Sequence, residues 1–94
     1  MKFRITSHTG FRGSTRPPDA LELLAEQLGA RRDDVSFARV GSEIVATWGE
    51  DVPSSMERDE RAEIGRGVIF EIVRDVCERT PELRLDWFAV GSPQ

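Results

Sequence analysis

The longest periodic stretch of this chain is residues 54–80, which read SSMERDERAEIGRGVIFEIVRDVCERT. Ser54 followed by Glu57 fits a capping box at a helix start, and Pro81 ends the pattern because proline disfavours a helical residue before it. At about 100° per residue, one side of this helix carries Ala62, Gly65, Val68, Ile69, Ile72, Val73 and Val76. The stretch predicts one long helix, Ser54–Thr80, with Ile72 at the centre of its buried face.

Two shorter segments precede it. Residues 2–7 alternate in polarity, with Phe3 and Ile5 on one face, which is typical of a half-buried strand. Pro17 and Pro18 open a helix, residues 21–28 keep apolar side chains at helical spacing, and Gly29 suits the position after a helix end. A strand and a helix near Pro18–Leu28 are therefore predicted.

Residues 35–48 predict a β-hairpin. Gly41 and Ser42 fit a two-residue type II′ turn, which requires a positive φ at its first position. That turn pairs Val40 with Glu43, and one face of the hairpin then carries Val35, Phe37, Ile44, Ala46 and Trp48. Turn chemistry and apolar alternation predict the same register.

A last strand is predicted over residues 83–90. Its core face would carry Leu83, Leu85, Trp87 and Ala89, and its other face Arg84, Asp86, Phe88 and Val90. Residues 91–94 are expected to form a loose tail. In the core, Ile72 is expected to face Phe3, Ile5, Ile44 and Leu85.

The element order β-α-β-β-α-β predicts a single α+β domain over residues 1–94. Two right-handed βαβ units would give a ferredoxin-like split sandwich, a four-stranded antiparallel sheet with both helices on one face. The predicted order across the sheet is the last strand, the first, the third and the second. The resemblance is to an architecture, which by itself implies no function.

Composition excludes several classes of function. The net charge is −4, and residues 50–94 carry eleven acidic and six basic side chains, which disfavours nucleic acid as a partner. The single cysteine, Cys77, excludes an internal disulfide and fits a reducing, cytoplasmic location. No apolar run is long enough to cross a membrane, so no membrane association is expected.

The loop from residue 8 to residue 16 is the candidate ligand site. It combines two glycines with basic and hydroxyl side chains before a helix start, where an anion is favoured; the candidate contacts are His8, Arg12, Ser14, Thr15 and Arg16. It lacks the P-loop spacing, and the alternative is a connector that is basic by chance. No spacing indicates a metal site, a cofactor site or a catalytic constellation, and Cys77 is interpreted as a buried, inert side chain.

The face of the sheet away from the helices is the candidate interface. By alternation it should expose an apolar patch formed by Ala38, Val40, Val45, Phe88 and Val90. The two central strands place no aromatic residue there, which disfavours RNA, whereas a second copy of the chain or another protein would cover the patch. The preferred hypothesis is a non-catalytic protein-interaction or self-associating module. The alternative is an anion-binding protein or small enzyme that uses residues 8–16.

Overall fold

The computed structural model describes residues 1–8, 17–49, 55–91 and 93. Within these residues the chain forms five strands and two helices. In chain order they are β1 (Lys2–Ser7), α1 (Ala20–Leu28), β2 (Arg31–Arg32), β3 (Val35–Val40), β4 (Glu43–Trp48), α2 (Arg58–Arg79) and β5 (Phe88–Val90), with a 3-10 turn at Leu85–Trp87 directly before β5.

The strands form one antiparallel sheet in the order β2-β3-β4-β1-β5. The four predicted strands are neighbours in the predicted order, but the predicted count of four is wrong because β2 adds a fifth at one edge. The two helices contact each other and the sheet. The protein is therefore an α+β protein with two helices and a five-stranded antiparallel sheet.

The predicted hairpin register is confirmed along β3 and β4. Val40 pairs with Glu43 at the turn, and Val35 pairs with Trp48 at the far end. A type II′ turn requires a positive φ at its first central position only. Gly41 occupies that position and has a φ of 60°, and Ser42 is not among the described residues with positive φ. The buried side chains of this hairpin are Val35, Phe37, Ile44, Ala46 and Trp48, as alternation predicted.

The unpredicted strand β2 forms a second, shorter hairpin with β3. Asp33 adopts a φ of 51°, a conformation that aspartate tolerates better than most residues, so the chain reverses directly after Arg32. The side chain of Arg32 donates to the backbone oxygens of Gln27 and Leu28 at the end of α1, where free carbonyls favour a cation. This hydrogen bonding anchors β2 to the end of α1.

Both helices begin later than predicted. Helix α2 begins at Arg58, with Glu57 at the N-cap and no side-chain capping bond, so the predicted capping box is wrong; Ser54 lies outside the described residues. Helix α1 begins at Ala20, because Asp19 occupies its N-cap. The predicted end of α1 is confirmed by Gly29, whose φ is 76° and whose N–H donates to the oxygen of Ala25.

The buried face of α2 is rotated from the predicted one. Ile69 and Val73 are buried, with 0% and 1% of their surface exposed, whereas Ile72 is only partly buried and the prediction that it is central is wrong. Helix α2 also packs closely on the sheet at Gly65, where a Cβ would lie 2.5 Å from a ring carbon of Trp48 and 2.8 Å from one of Phe3. The buried residues of α2 are Gly65, Ile69, Val73, Val76 and Cys77, and the partly buried Val68 and Ile72 lie at one margin of this face.

The C-terminal strand is shorter than predicted and has the opposite facing. Val90 pairs with Ile5 and Phe88 pairs with Ser7, and paired residues of antiparallel strands point to the same side. Phe88 and Val90 therefore face the helices, and Phe88 is 6% exposed. The expectation that both lie on the opposite face is wrong, because the 3-10 turn at Leu85–Trp87 shifts the alternation.

Candidate protein-binding surfaces

The side of the sheet away from the helices, called here the open face, is built by strand pairing. Arg31 pairs with Ser36, Ser36 with Thr47, and Thr47 with Lys2, so these four side chains form one row across the sheet. A second row contains Ala38, Val45 and Arg4. The remaining members, which follow from the same pairing, are Val40, Glu43, Thr6 and Ala89.

The open face carries an excess of positive charge. Its basic side chains are Lys2, Arg4 and Arg31, and its only acidic side chain in the described residues is Glu43. Arg4 Nε lies 3.5 Å from Glu43 Oε2, which offsets one cation. Lys2 and Arg31 are left at opposite ends of one row, three strand spacings or about 14 Å apart. This surface is electrostatically suited to an acidic partner.

The apolar part of the open face is smaller than predicted. Of the five predicted interface residues, Ala38, Val40 and Val45 lie on it, whereas Phe88 and Val90 lie on the other side. Val40 is an exposed large apolar residue there, with 58% of its surface accessible. The face thus combines a small apolar centre with a basic border.

A second surface lies at the free edge of β5. Hydrogen bonds from Gly91 N to Arg4 O and from His8 N to Trp87 O fix which groups of β5 point toward β1. Because these groups alternate along an antiparallel strand, the N–H and C=O of Val90 and the C=O of Phe88 point away from the sheet. The N–H of Phe88 already donates to Leu85 in the 3-10 turn. The edge therefore presents one donor, flanked by acceptors, to an incoming strand.

A groove of about 550 Å³ runs beside this edge, between α2 and β5. Its helix side is formed by Glu63, Arg66, Gly67 and Phe70, and its strand side by residues 88–90. Phe70 is 41% exposed, which is unusual for an aromatic side chain in a small protein. A Cβ at Gly67 would have no atom within 4 Å, so the packing of the described residues does not require glycine there. We call these residues, with the outer edge of β5, the edge groove.

Most of the predicted anion site lies outside the described residues: Arg12, Ser14, Thr15 and Arg16. Of its contacts only His8 is described, and its side chain is exposed while its N–H donates to Trp87 O. A shallow cavity of about 210 Å³ beside the start of α1 is lined by Asp19, Glu22 and Arg39, among others. The two carboxylates offset the guanidinium, so this neighbouring cavity is not suited to an anion.

Cys77 is buried on the same side of α2 as Phe70. It is 7% exposed, and burial raises the pKa of its thiol from 9.0 to about 11. The thiol is protonated at neutral pH, which makes it a poor nucleophile and agrees with the inert packing expected from sequence.

Across residues 1–8, 17–49, 55–91 and 93, no three His, Cys, Asp or Glu side chains lie close enough together to hold a metal ion. Neither described helix combines the length and apolar character that a membrane span needs. Comparison with known proteins found no matching family model, no similar curated protein and no similar solved structure.

Sequence reasoning did not assign Arg31 to the open face or Phe70 to a binding surface, and it assigned Ala89 to the core face. Arg31 joins the open face only because β2 forms, and the signal for β2 is the Asp33–Asp34 turn before a strand. Phe70 lies beside Cys77 on the helical wheel, at the margin of the apolar arc, where periodicity does not decide between burial and exposure.

Proposed function

We propose that this protein is a non-catalytic interaction module that binds an acidic segment of another protein on its open face. The observation that carries the proposal is the row from Arg31 to Lys2, which places two cations at its ends next to the apolar side chains of Ala38 and Val40, which are exposed, and Val45, which is partly buried. Acidic groups would meet the cations while apolar groups cover the centre.

Self-association through the same face is disfavoured by its charge. Among the described residues, three cations and one carboxylate give each open face a formal charge of +2, and two copies meeting there would bring like charges together. Nucleic acid is disfavoured as well, because the described open face offers no aromatic side chain for base stacking and the chain is acidic overall.

The proposal includes two finer points of fold and location. The sheet order and the helix contacts support a ferredoxin-like sandwich extended by β2 at one edge. A lone, buried thiol at Cys77 supports a reducing, cytoplasmic environment.

The proposal is tested by NMR titration with a ten-residue peptide of alternating Glu and Val. Amide shifts should appear in β1, β3 and β4 and weaken as salt is added, because exposed charges are screened. The matched control peptide alternates Lys and Val, and a single-stranded RNA decamer tests the nucleic-acid alternative.

The variant for this titration is Lys2→Gln/Arg31→Gln. Removing two exposed cations should weaken binding of the acidic peptide by about two- to tenfold. The control Arg79→Gln removes a side chain that is 77% exposed at the far end of α2, and it should leave binding within about twofold. Equal binding of the Lys-Val peptide, or shifts confined to other elements, would contradict an acidic partner on this face.

A further inference from the structure

We propose that two copies of this chain associate through the edge groove, with their β5 strands antiparallel about a two-fold axis at Ala89. This interface is separate from the open face and goes beyond the function proposed above. It would join the two sheets into one continuous sheet and combine the two grooves into a single cleft between the α2 helices.

The backbone of β5 identifies an extended strand as the occupant. Val90 presents a free N–H and Phe88 presents a free C=O on the outer side of the strand. These two groups lie one residue to either side of Ala89. A two-fold axis at Ala89 therefore brings the Val90 donor of each copy to the Phe88 acceptor of the other, which gives two reciprocal hydrogen bonds.

The groove supplies apolar contact above those hydrogen bonds. Phe70, Phe88 and Val90 line it, and Phe70 is 41% exposed. In the two-fold arrangement the Phe70 side chains of both copies enter the shared cleft, and the open space beside Gly67 accommodates a ring. The absence of a side chain at Gly67 is thus accounted for by the interface, whereas the described packing within one copy does not account for it.

Charge favours a second copy here, in contrast to the open face. The groove border carries one acid, Glu63, and one base, Arg66. A two-fold rotation reverses the order of these two residues along the helix, so the acid of each copy is complementary to the base of the other. The described part of the border has no net charge, so the association brings no excess of like charge together there.

The first test is the mass in solution, by sedimentation equilibrium of the full chain between 5 and 500 μM (about the range in which weak dimers form). The expected result is a reversible change from 10.6 kDa to twice that mass as concentration rises. A wild-type chain that remains a monomer up to the highest concentration overturns the proposal.

Two variants locate the interface. Gly67→Lys places a charge in the groove, where nothing within one copy obstructs it, and sets a lysine four residues after Glu63, an arrangement that supports a helix. Val90→Pro removes a donor that points away from β1 and leaves the hydrogen bonds between β1 and β5 in place, as proline does at sheet edges. Each should raise the dissociation constant of the dimer by about tenfold or more.

The matched control is Val45→Lys, which adds the same charge to the open face. Its dimer dissociation constant should change by less than about twofold. Loss of association in Val45→Lys with retention in Gly67→Lys would assign the interface to the open face and overturn the proposal. Thermal unfolding followed by circular dichroism tests whether each variant is folded. If Val90→Pro does not fold, Gly67→Lys alone decides whether the interface lies at the edge groove.

Hydrogen exchange provides an independent readout at one atom. The Val90 amide points away from β1 and has no partner among the described hydrogen bonds, so it should exchange quickly at low concentration and become protected as the dimer forms. The Ala89 amide, which faces β1, serves as the control and should be protected at both concentrations. A Val90 amide that exchanges equally fast in a sample shown to be dimeric overturns strand pairing at this edge.

Discussion

At the scale of single residues, two glycines two positions apart in α2 have opposite surroundings. A Cβ at Gly65 would overlap the rings of Trp48 and Phe3, whereas a Cβ at Gly67 would meet nothing within 4 Å. Each glycine lowers the helix propensity of α2 by about 1 kcal/mol relative to alanine. Only the first is required by the packing of the described residues.

Alanine at the two positions should therefore change stability in opposite directions. Gly65→Ala should lower the free energy of unfolding by about 1–2 kcal/mol, because the overlap with two buried rings exceeds the gain in helix propensity. Gly67→Ala should raise it by about 0.5–1 kcal/mol. Urea unfolding at low micromolar concentration, followed by the fluorescence of buried Trp48 and Trp87, measures both. A stabilising Gly65→Ala would show that α2 does not approach the sheet at this residue.

The buried thiol of Cys77 makes stability depend on pH in the alkaline range. Burial raises its pKa from 9.0 to about 11, so above pH 9 the unfolded chain loses a proton that the folded chain retains. The free energy of unfolding should therefore fall as the pH rises from 9 to 11. The chain contains no tyrosine and a single lysine, Lys2, so few other side chains titrate in this window.

The measurement is denaturant unfolding of wild type and Cys77→Ala at intervals between about pH 8 and pH 11. Cys77→Ala should be less stable than the wild type near pH 8 because it leaves a cavity, and the difference should shrink toward pH 11 because the stability of the variant depends less on pH. Equal pH dependence of the two proteins would mean that the thiol is as accessible in the folded chain as in the unfolded one.

At the scale of elements, the orientation of α2 decides which side chains form the core. Ile69 is fully buried and Ile72 is partly buried, although both belong to the apolar side expected from periodicity. The buried residues of α2 extend from Gly65 through Ile69 and Val73 to Cys77, so the core direction lies on the Cys77 side of the apolar arc, and Ile72 lies at its other margin.

The same substitution at both positions tests this orientation. Ile69→Ala should reduce the free energy of unfolding by about 2–5 kcal/mol, through lost burial and a cavity. Ile72→Ala should cost about 1–2 kcal/mol, since part of its surface is already in water. A larger effect at Ile72 than at Ile69 in urea unfolding would restore the face expected from the sequence.

At the scale of the whole molecule, charge is distributed unevenly between helix α1 and the open face of the sheet. Helix α1 contains two acidic residues, Glu22 and Glu26, and no basic one, whereas the open face contains three basic residues and one acidic residue. The acidic net charge of the chain therefore does not describe its open face. This distribution suits a module that meets an acidic partner on the open face and approaches its twin along the edge groove.

The two proposed surfaces are geometrically compatible. Strand addition at β5 extends the sheet in its own plane, and it leaves the open face of each copy uncovered. A dimer formed in this way would present two open faces on one side of a continuous sheet. An acidic partner that spans both copies would then bind with the advantage of two linked contacts.

The sequence by itself determined the features that depend on local periodicity and turn chemistry. The register of β3 and β4 followed from Gly41 and the apolar alternation, because a two-residue turn leaves one way to pair the flanking strands. The order of the four predicted strands followed from the element order. Three members of the open face, Ala38, Val40 and Val45, were predicted for the same reason.

Only the tertiary structure decided the facing of β5 and the existence of β2. Alternation assigns faces only within one continuous strand, and the 3-10 turn at Leu85–Trp87 interrupts it, so Phe88 and Val90 follow their pairing with β1 instead. The backbone of β2 is held by β3, and its Arg-Arg sequence carries no apolar signal. The edge groove exists because α2 and β5 lie side by side and leave Phe70 between them. No local sequence pattern specifies that contact.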